Sequence, residues 1–393
     1  MPSENIYTRP HNLFATPDIS PDANRDAWRQ PGDVQVFLYP YYSKFDAHEL
    51  IKIATALVNP RGKGIYATDE APYAMDDLLD SLNDDPTLKK RRTEEENRER
   101  RKKWKECMYN AVSNEYISGV ILHDETLRDF KLAEILSTKG IIPGVRANGE
   151  LTPIPRSEDE FIVQGLDDLL SKLQAARAEG ARFSKWRAPI ACSSVQGGFP
   201  SRISLETQAE TLAQFAAISQ QAGLVPIVEP DVDFSKDADL VRSTDVHEQA
   251  ITMIYERMRV HGVLLEGSLI KPSFPQPGLC HPSRSNVTPE EIAVAAATVL
   301  SRAVPAAVPG VLFLSGGLAS STATQWLASI NALVLASPPS SPFARLPALT
   351  FSYGRALQGE PMKHWVKGDE EAAKQALEKW SKACWHAARG EVL

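Results

Sequence analysis

The sequence predicts an α/β protein built as a single (β/α)₈ barrel, and three observations predict it. Eight short β-rich runs recur: GIYATDE (64–70), GVILHDE (119–125), IIPGVR (141–146), ARFSKWR (181–187), VPIVEPD (225–231), VLLEGSLIKP (263–272), GVLFLSGG (310–317) and LTFSYGR (349–355). Most gaps between them carry helical periodicity, as in Leu205–Gln221 and Glu290–Arg302. The runs are apolar with little alternation, the pattern of strands buried on both faces of a parallel sheet. The spacing alone suits a doubly wound sheet too. The count of eight favours the closed barrel.

Taken in order, residues 1–46 hold six prolines among many polar residues and read as an extended arm on the body. Residues 47–393 are the barrel with a C-terminal helical tail. From about Asp46 the spacing of Leu50, Ile51, Ile53, Ala54 and Leu57 marks an amphipathic helix ahead of the first strand. Leu88–Glu106 holds ten basic and five acidic residues. In it Thr93 and Glu96 form a capping box, and Glu94–Arg98, Glu96–Arg100 and Glu99–Lys103 stand at i,i+4. A solvated helix face is expected there, not a nucleic-acid site.

The composition, 43% hydrophobic and 24% charged over 393 residues, is that of a folded protein with an ordinary core. Lys plus Arg is 43 against 50 for Asp plus Glu, a net charge of −7 that argues against general nucleic-acid binding. Cys107, Cys192, Cys280 and Cys384 form no CxxC pair and read as free thiols of a reducing compartment. The eight histidines make no HxxxH or HExxH pattern, so no metal site is expected. The apolar stretch Ile292–Leu314 is broken by Arg302, Pro305 and Pro309 and does not span a membrane. No signal-peptide layout opens the chain, and the expected setting is the cytoplasm.

In such a barrel the reacting groups stand at the C-terminal ends of the strands. Those ends offer Asp69, Arg146, Lys185 with Arg187, Glu229 with Asp231, Lys271, Ser315 with Gly316 and Gly317, and Ser352 with Gly354 and Arg355. The strand period of two puts Lys185 with Arg187 on one face, and Glu229 with Asp231. Lys271 closes the apolar run Val263–Ile270 and is followed by Pro272. Desolvated there and near Lys185, its amine would be pushed toward the neutral, nucleophilic form, able to build an iminium on a ketone. The other reading is an internal ion pair with Glu229 or Asp231, and the residues alone do not separate the two. Backbone N–H groups of Ser315, Gly316 and Gly317, with the Arg355 fork, suit a phosphate.

The runs GKGIYATDE, FSKWR, VPIVEP, LIKP, FLSGG and FSYGRALQ resemble, in order and spacing, the class I fructose-1,6-bisphosphate aldolases of animals, plants and protists. The likeness runs from about Asp46 to the C-terminus. It implies a homotetrameric barrel without metal or cofactor that cleaves a ketose bisphosphate into dihydroxyacetone phosphate and an aldehyde. It further implies that Lys271 is the Schiff-base lysine and Glu229 the acid and base that dehydrates the carbinolamine. Lys185 would stabilise charge at the reacting oxygens, and Asp69 would take the C4 hydroxyl proton. Arg187 would line the site, and Ser315, Gly316, Ser352, Gly354 and Arg355 would hold the 1-phosphate.

Departures from the family pattern fall at the other end of the substrate. Ala71, Pro72, Tyr73 and Ala74 replace a stretch that includes two phosphate-facing hydroxyls, and Asp77 and Leu78 replace a Lys-Arg pair. Arg146 replaces a lysine, Asp231 a glutamate, and the chain stops at Glu391-Val392-Leu393 without the family's terminal tyrosine. The expected activity is aldol cleavage of fructose 1,6-bisphosphate. The alternatives are a paralogue using an aldehyde without phosphate, and a non-catalytic scaffold on the same barrel. A scaffold has no need of Asp69, Lys185, Glu229 and Lys271 together.

Overall fold

The computed structural model describes residues 42–82 and 92–391. The arm expected over 1–46 lies outside the described residues as far as residue 41, as does the stretch 88–91 of the charge-rich segment.

Helix α1 (Lys44–Val58) leads into strand β1 (Gly64–Thr68), and α2 (Pro72–Ser81) and α3 (Glu94–Ala111) precede β2 (Ile117–Leu122). Helix α4 (Ala133–Thr138) and strand β3 (Ile142–Arg146) follow, then an antiparallel hairpin of β4 (Leu151–Pro153) and β5 (Phe161–Val163). The alternation resumes with α5 (Leu169–Ala178), β6 (Phe183–Ile190), α6 (Arg202–Gln221), β7 (Val225–Val232), α7 (Leu240–Val260) and β8 (Leu269–Ile270). It closes with α8 (Pro289–Ala303), β9 (Gly310–Phe313), α9 (Ser320–Ala336), β10 (Ala348–Tyr353), α10 (Arg355–Trp365) and α11 (Glu370–Ala387). Eight parallel strands make a closed barrel in the order β1-β10-β9-β8-β7-β6-β3-β2. Every residue of β1, β2 and β9 is buried, because helices cover one face and the barrel interior the other.

Each of the eight apolar runs overlaps one barrel strand. The sixth is shorter than its run: Leu265–Gly267 turn as a 3₁₀ helix, and only Leu269 and Ile270 pair regularly. The chain leaves α7 through left-handed Gly262 and must turn before it can join the sheet, which uses up the first half of the run.

Helix α1 decides which mouth is open. Its Leu50, Ala54, Leu57 and Val58 are buried against Ile65, Ile121, Phe183, Ile227, Leu269 and Leu312 from the strands. The N-terminal end of the barrel is thereby filled with hydrocarbon. Polar chemistry is left to the C-terminal end.

The charge-rich helix α3 differs from the solvated face expected of it. The capping box is present, with Glu96 bonded back to Thr93. Of the three i,i+4 pairs only Glu99–Lys103 forms, at 3.8 Å. Glu96 is held by the cap, Arg100 turns to Asp80 at 2.6 Å, and Glu94 meets Arg101 at 3.0 Å. Arg101 is buried and also meets Asp76 at 2.6 Å and Glu125 at 2.7 Å, joining α3 to α2 and to the turn after β2. Removing the cation of a buried cluster strands its carboxylates, at a cost of about 3–5 kcal/mol. Arg101→Ala should lower the denaturant midpoint accordingly in equilibrium unfolding, whereas Lys103→Ala on the outer face should leave it unchanged.

Candidate active site

Strand β1 ends at Thr68, so Asp69 is the first residue beyond the sheet. Lys185 is the third residue of β6, paired in register with Arg146 of β3 on one side and Ile227 of β7 on the other. Glu229 is the fifth residue of β7, and Lys271 follows β8, its N–H donating to the Val228 carbonyl at 2.8 Å. These four side chains meet. Lys185 Nζ lies 2.6 Å from Asp69 Oδ2 and 3.0 Å from Glu229 Oε2, and Lys271 Nζ lies 3.4 Å from Glu229 Oε1. Lys185, Glu229 and Lys271 are all buried. The Lys185–Glu229 approach is an ion-pair contact without hydrogen-bond alignment, which leaves the buried Oε2 of Glu229 without a donor.

The two amines are driven apart electrostatically. Burial disfavours the charge on Lys185, but Asp69 and Glu229 together outweigh it and raise its pKa. Lys185 is therefore an ammonium. For Lys271 burial again acts downward, Glu229 opposes it, and Lys185 adds repulsion; the net shift is downward. Burial acts on Asp69 in the opposite sense, yet Lys185 and Lys271 hold its carboxyl well below the usual range. Asp69 is an ionised acceptor at neutral pH. One site thus contains a depressed amine, a fixed ammonium and two carboxylates.

The end of β8 is tied to that of β7 by Ser273, whose Oγ accepts from Val232 N–H at 3.0 Å and meets His247 Nε2 at 2.9 Å. Burial lowers the His247 pKa to about 4, so the contact is made by a neutral ring. No signal in the sequence marked this brace.

Arg187 and Asp231 stand at the rim, two residues further along the strands, and pair with each other at 2.7 Å. Asp231 faces Arg187, not the lysines. Arg146 reaches the carbonyls of Asp69 and Gly149 at 3.5 Å each, bracing the loop that carries Asp69.

The residues expected to hold a phosphate come together between β9 and β10. Gly316 and Gly317 have φ of +55° and +89°, and a Cβ at Gly317 would stand 2.9 Å from Arg355 Cζ. The positive φ at both positions favours glycine, and it lets the Arg355 fork lie directly over Gly317. Helices α9 and α10 both start without a side-chain cap, at Ala319 and Gly354, so their first N–H groups remain available to an anion. Arg355 is exposed and pairs with no carboxylate among the described residues. Ser315 is buried, and the buried Ser352 hydroxyl lacks a hydrogen-bond partner among the described residues. A cavity of about 830 Å³ opens here, with Arg187, Asp231, Gly316, Gly317 and Arg355 in its wall.

Sequence reasoning missed Lys105. It lies on the inner face of α3, its Nζ 2.6 Å from the Thr68 carbonyl. Arg101, Trp104, Lys105 and Met108 recur at helical spacing and are all buried, but cations on that face disguise the stripe.

Among the described residues no His, Cys, Asp and Glu cluster could hold a metal ion, and no helix is long and apolar enough to cross a membrane.

A family model for fructose-bisphosphate aldolase class-I matches residues 49–392. The chain is 38% identical to the fructose-bisphosphate aldolase of Schistosoma mansoni over 362 residues, 90% of this chain and 93% of that one. It is 36% identical to fructose-bisphosphate aldolase B of Homo sapiens over 364 residues, again covering 90% and 93%. Among solved structures, the fructose-bisphosphate aldolase of Plasmodium falciparum superposes with a TM-score of 0.80 at 32% identity, covering 89% of this chain and 97% of that one.

Proposed function

The chain belongs to the class I fructose-bisphosphate aldolase family, and we propose that Lys271 is the amine through which it breaks and forms the C–C bond. The single observation that supports this assignment is the pair of buried lysines sharing Glu229. Lys185 is held charged and Lys271 is pushed toward the free amine.

Fructose 1,6-bisphosphate is the default substrate. The Lys271 amine attacks the C2 carbonyl, Glu229 takes a proton from the attacking nitrogen and returns it to the carbinolamine oxygen, and with one further proton, relayed from solvent through Glu229, water leaves to give the iminium. Asp69 then takes the C4 hydroxyl proton while the C3–C4 electrons flow into the iminium. The products of that step are an enamine on Lys271 and free glyceraldehyde 3-phosphate. Protonation at C3 and hydrolysis release dihydroxyacetone phosphate and restore the amine. The Lys185 ammonium, fixed by Asp69 and Glu229, stabilises negative charge as it develops on the reacting oxygens. Ser315, Gly316, Gly317, Ser352, Gly354 and Arg355 hold the 1-phosphate, and Arg187, Asp231 and Arg146 line the approach. A cytosolic homotetramer is the assembly that fits the family.

The test is chemical trapping in a strong chelator. Borohydride with dihydroxyacetone phosphate should reduce the iminium to a stable secondary amine on Lys271, located by peptide mass, with no metal added. An adduct on Lys185, or trapping that needs zinc, would overturn the assignment.

A further inference from the structure

Helix α3 grips the segment that carries Asp69 from behind. Arg101, Lys105 and Tyr109 stand four residues apart on its inner face, and all three are buried. Tyr109 Oη is 2.7 Å from Thr68 Oγ1, which itself donates to the Ile121 carbonyl at 2.8 Å. Lys105 Nζ donates to the Thr68 carbonyl at 2.6 Å and stands 3.5 Å from Glu70 Oε2. The other Glu70 oxygen accepts from Gln358, whose Oε1 accepts from Tyr66 Oη at 3.2 Å. Lys105 therefore holds the residue before Asp69 by its carbonyl and the residue after it by its carboxylate.

From this geometry we propose that Lys105 is a positioning residue for the cleavage step, aiming the Asp69 carboxylate at Lys185 and the C4 hydroxyl. The inference rests on the reading in which Asp69 accepts that hydroxyl proton. It adds a residue from an outer helix that touches no substrate. The direction of the Asp69 side chain is set by the peptide planes on either side of it, and Lys105 bonds to the first of these. Burial pushes the Lys105 pKa down, Glu70 and Asp69 oppose it, and among the described residues Lys105 is the cation beside Glu70 Oε2, which is buried and accepts no hydrogen bond. Without Lys105, Glu70 would be left without its ion-pair partner next to Asp69 in the chain. The Thr68 carbonyl would lose the hydrogen bond that fixes the peptide plane entering Asp69. Among the described residues neither Lys271 nor Glu229 forms a hydrogen bond or ion pair with Lys105, so iminium formation should not depend on it.

The experiment separates the two half-reactions. In Lys105→Met, a displacement of Asp69 on the order of 1 Å should slow fructose 1,6-bisphosphate cleavage about 100-fold, while borohydride trapping with dihydroxyacetone phosphate stays within about threefold of the parent. Cleavage at the parental rate would overturn the proposal. So would an equal loss of cleavage and trapping, since a general loss of structure removes both. If Lys105→Met does not fold, Lys105→Met with Glu70→Gln removes both buried charges and should show the same split. Asp69→Asn is measured alongside. Slow cleavage there with normal cleavage in Lys105→Met overturns the positioning role alone. Normal cleavage in Asp69→Asn overturns the reading of Asp69, and the proposal with it.

Discussion

Replacing Lys271 by methionine should lower turnover of fructose 1,6-bisphosphate roughly 10⁶-fold, the scale reached when a covalent enzyme loses its nucleophile. Methionine keeps the unbranched apolar stem that fills the end of β8, so the barrel should be undisturbed. Glu229 keeps Lys185 as its cation at 3.0 Å. The second buried amine cannot substitute for the first. Lys185 is held as an ammonium by Asp69 and Glu229, and an ammonium has no lone pair with which to attack a ketone. Borohydride should accordingly leave no adduct anywhere on the variant. Residual turnover within tenfold of the parent would place the nucleophile elsewhere.

The margin of fructose 1,6-bisphosphate over fructose 1-phosphate should be small for the family. A hydrogen bond to a charged group is worth about 1.5–3 kcal/mol. The two hydroxyls absent at Ala71 and Ala74 therefore represent roughly 3–6 kcal/mol, or about 10²–10⁴ in kcat/KM. Ala71 is buried and caps α2 without a side-chain bond, Pro72 fixes the first turn, and Tyr73 is 64% exposed. That segment offers a phosphate less than two hydroxyls would, which suits an aldehyde without one. Arg146 offsets part of the loss, since a guanidinium also grips phosphate. At the opposite end Arg355→Ala should impair both substrates alike, because each carries the 1-phosphate. A measured preference for the bisphosphate of about 10³ or more, on the scale of an intact pair of charged contacts, would show that other groups hold the 6-phosphate.

Most of the barrel was legible in the sequence because its strands are buried on both faces and its helices on one, and both leave periodic hydrophobic marks. The eight runs, the helix beginning near Asp46 and the Thr93–Glu96 cap all stand where local pattern put them. The short hairpin β4–β5 and the 3₁₀ turn inside the sixth run were not legible. Both depend on how the chain returns to the sheet, which no local pattern records.

Strand boundaries and a period of two place Asp69, Lys185, Glu229 and Lys271 at the strand ends. They leave Lys271 balanced between nucleophile and ion-pair partner. The electrostatic order among these groups comes from the assembled barrel. A pKa in a buried cluster depends on distances between strands far apart in the chain, and Lys185 takes the charge because it alone lies within 3.0 Å of two carboxylates. Asp231 shares a strand face with Glu229, yet it pairs with Arg187 of the neighbouring strand β6. Lys105 passed for one more solvated cation. Its burial beneath Asp69 comes from the packing of α3 on β1, a contact between segments that share no local pattern.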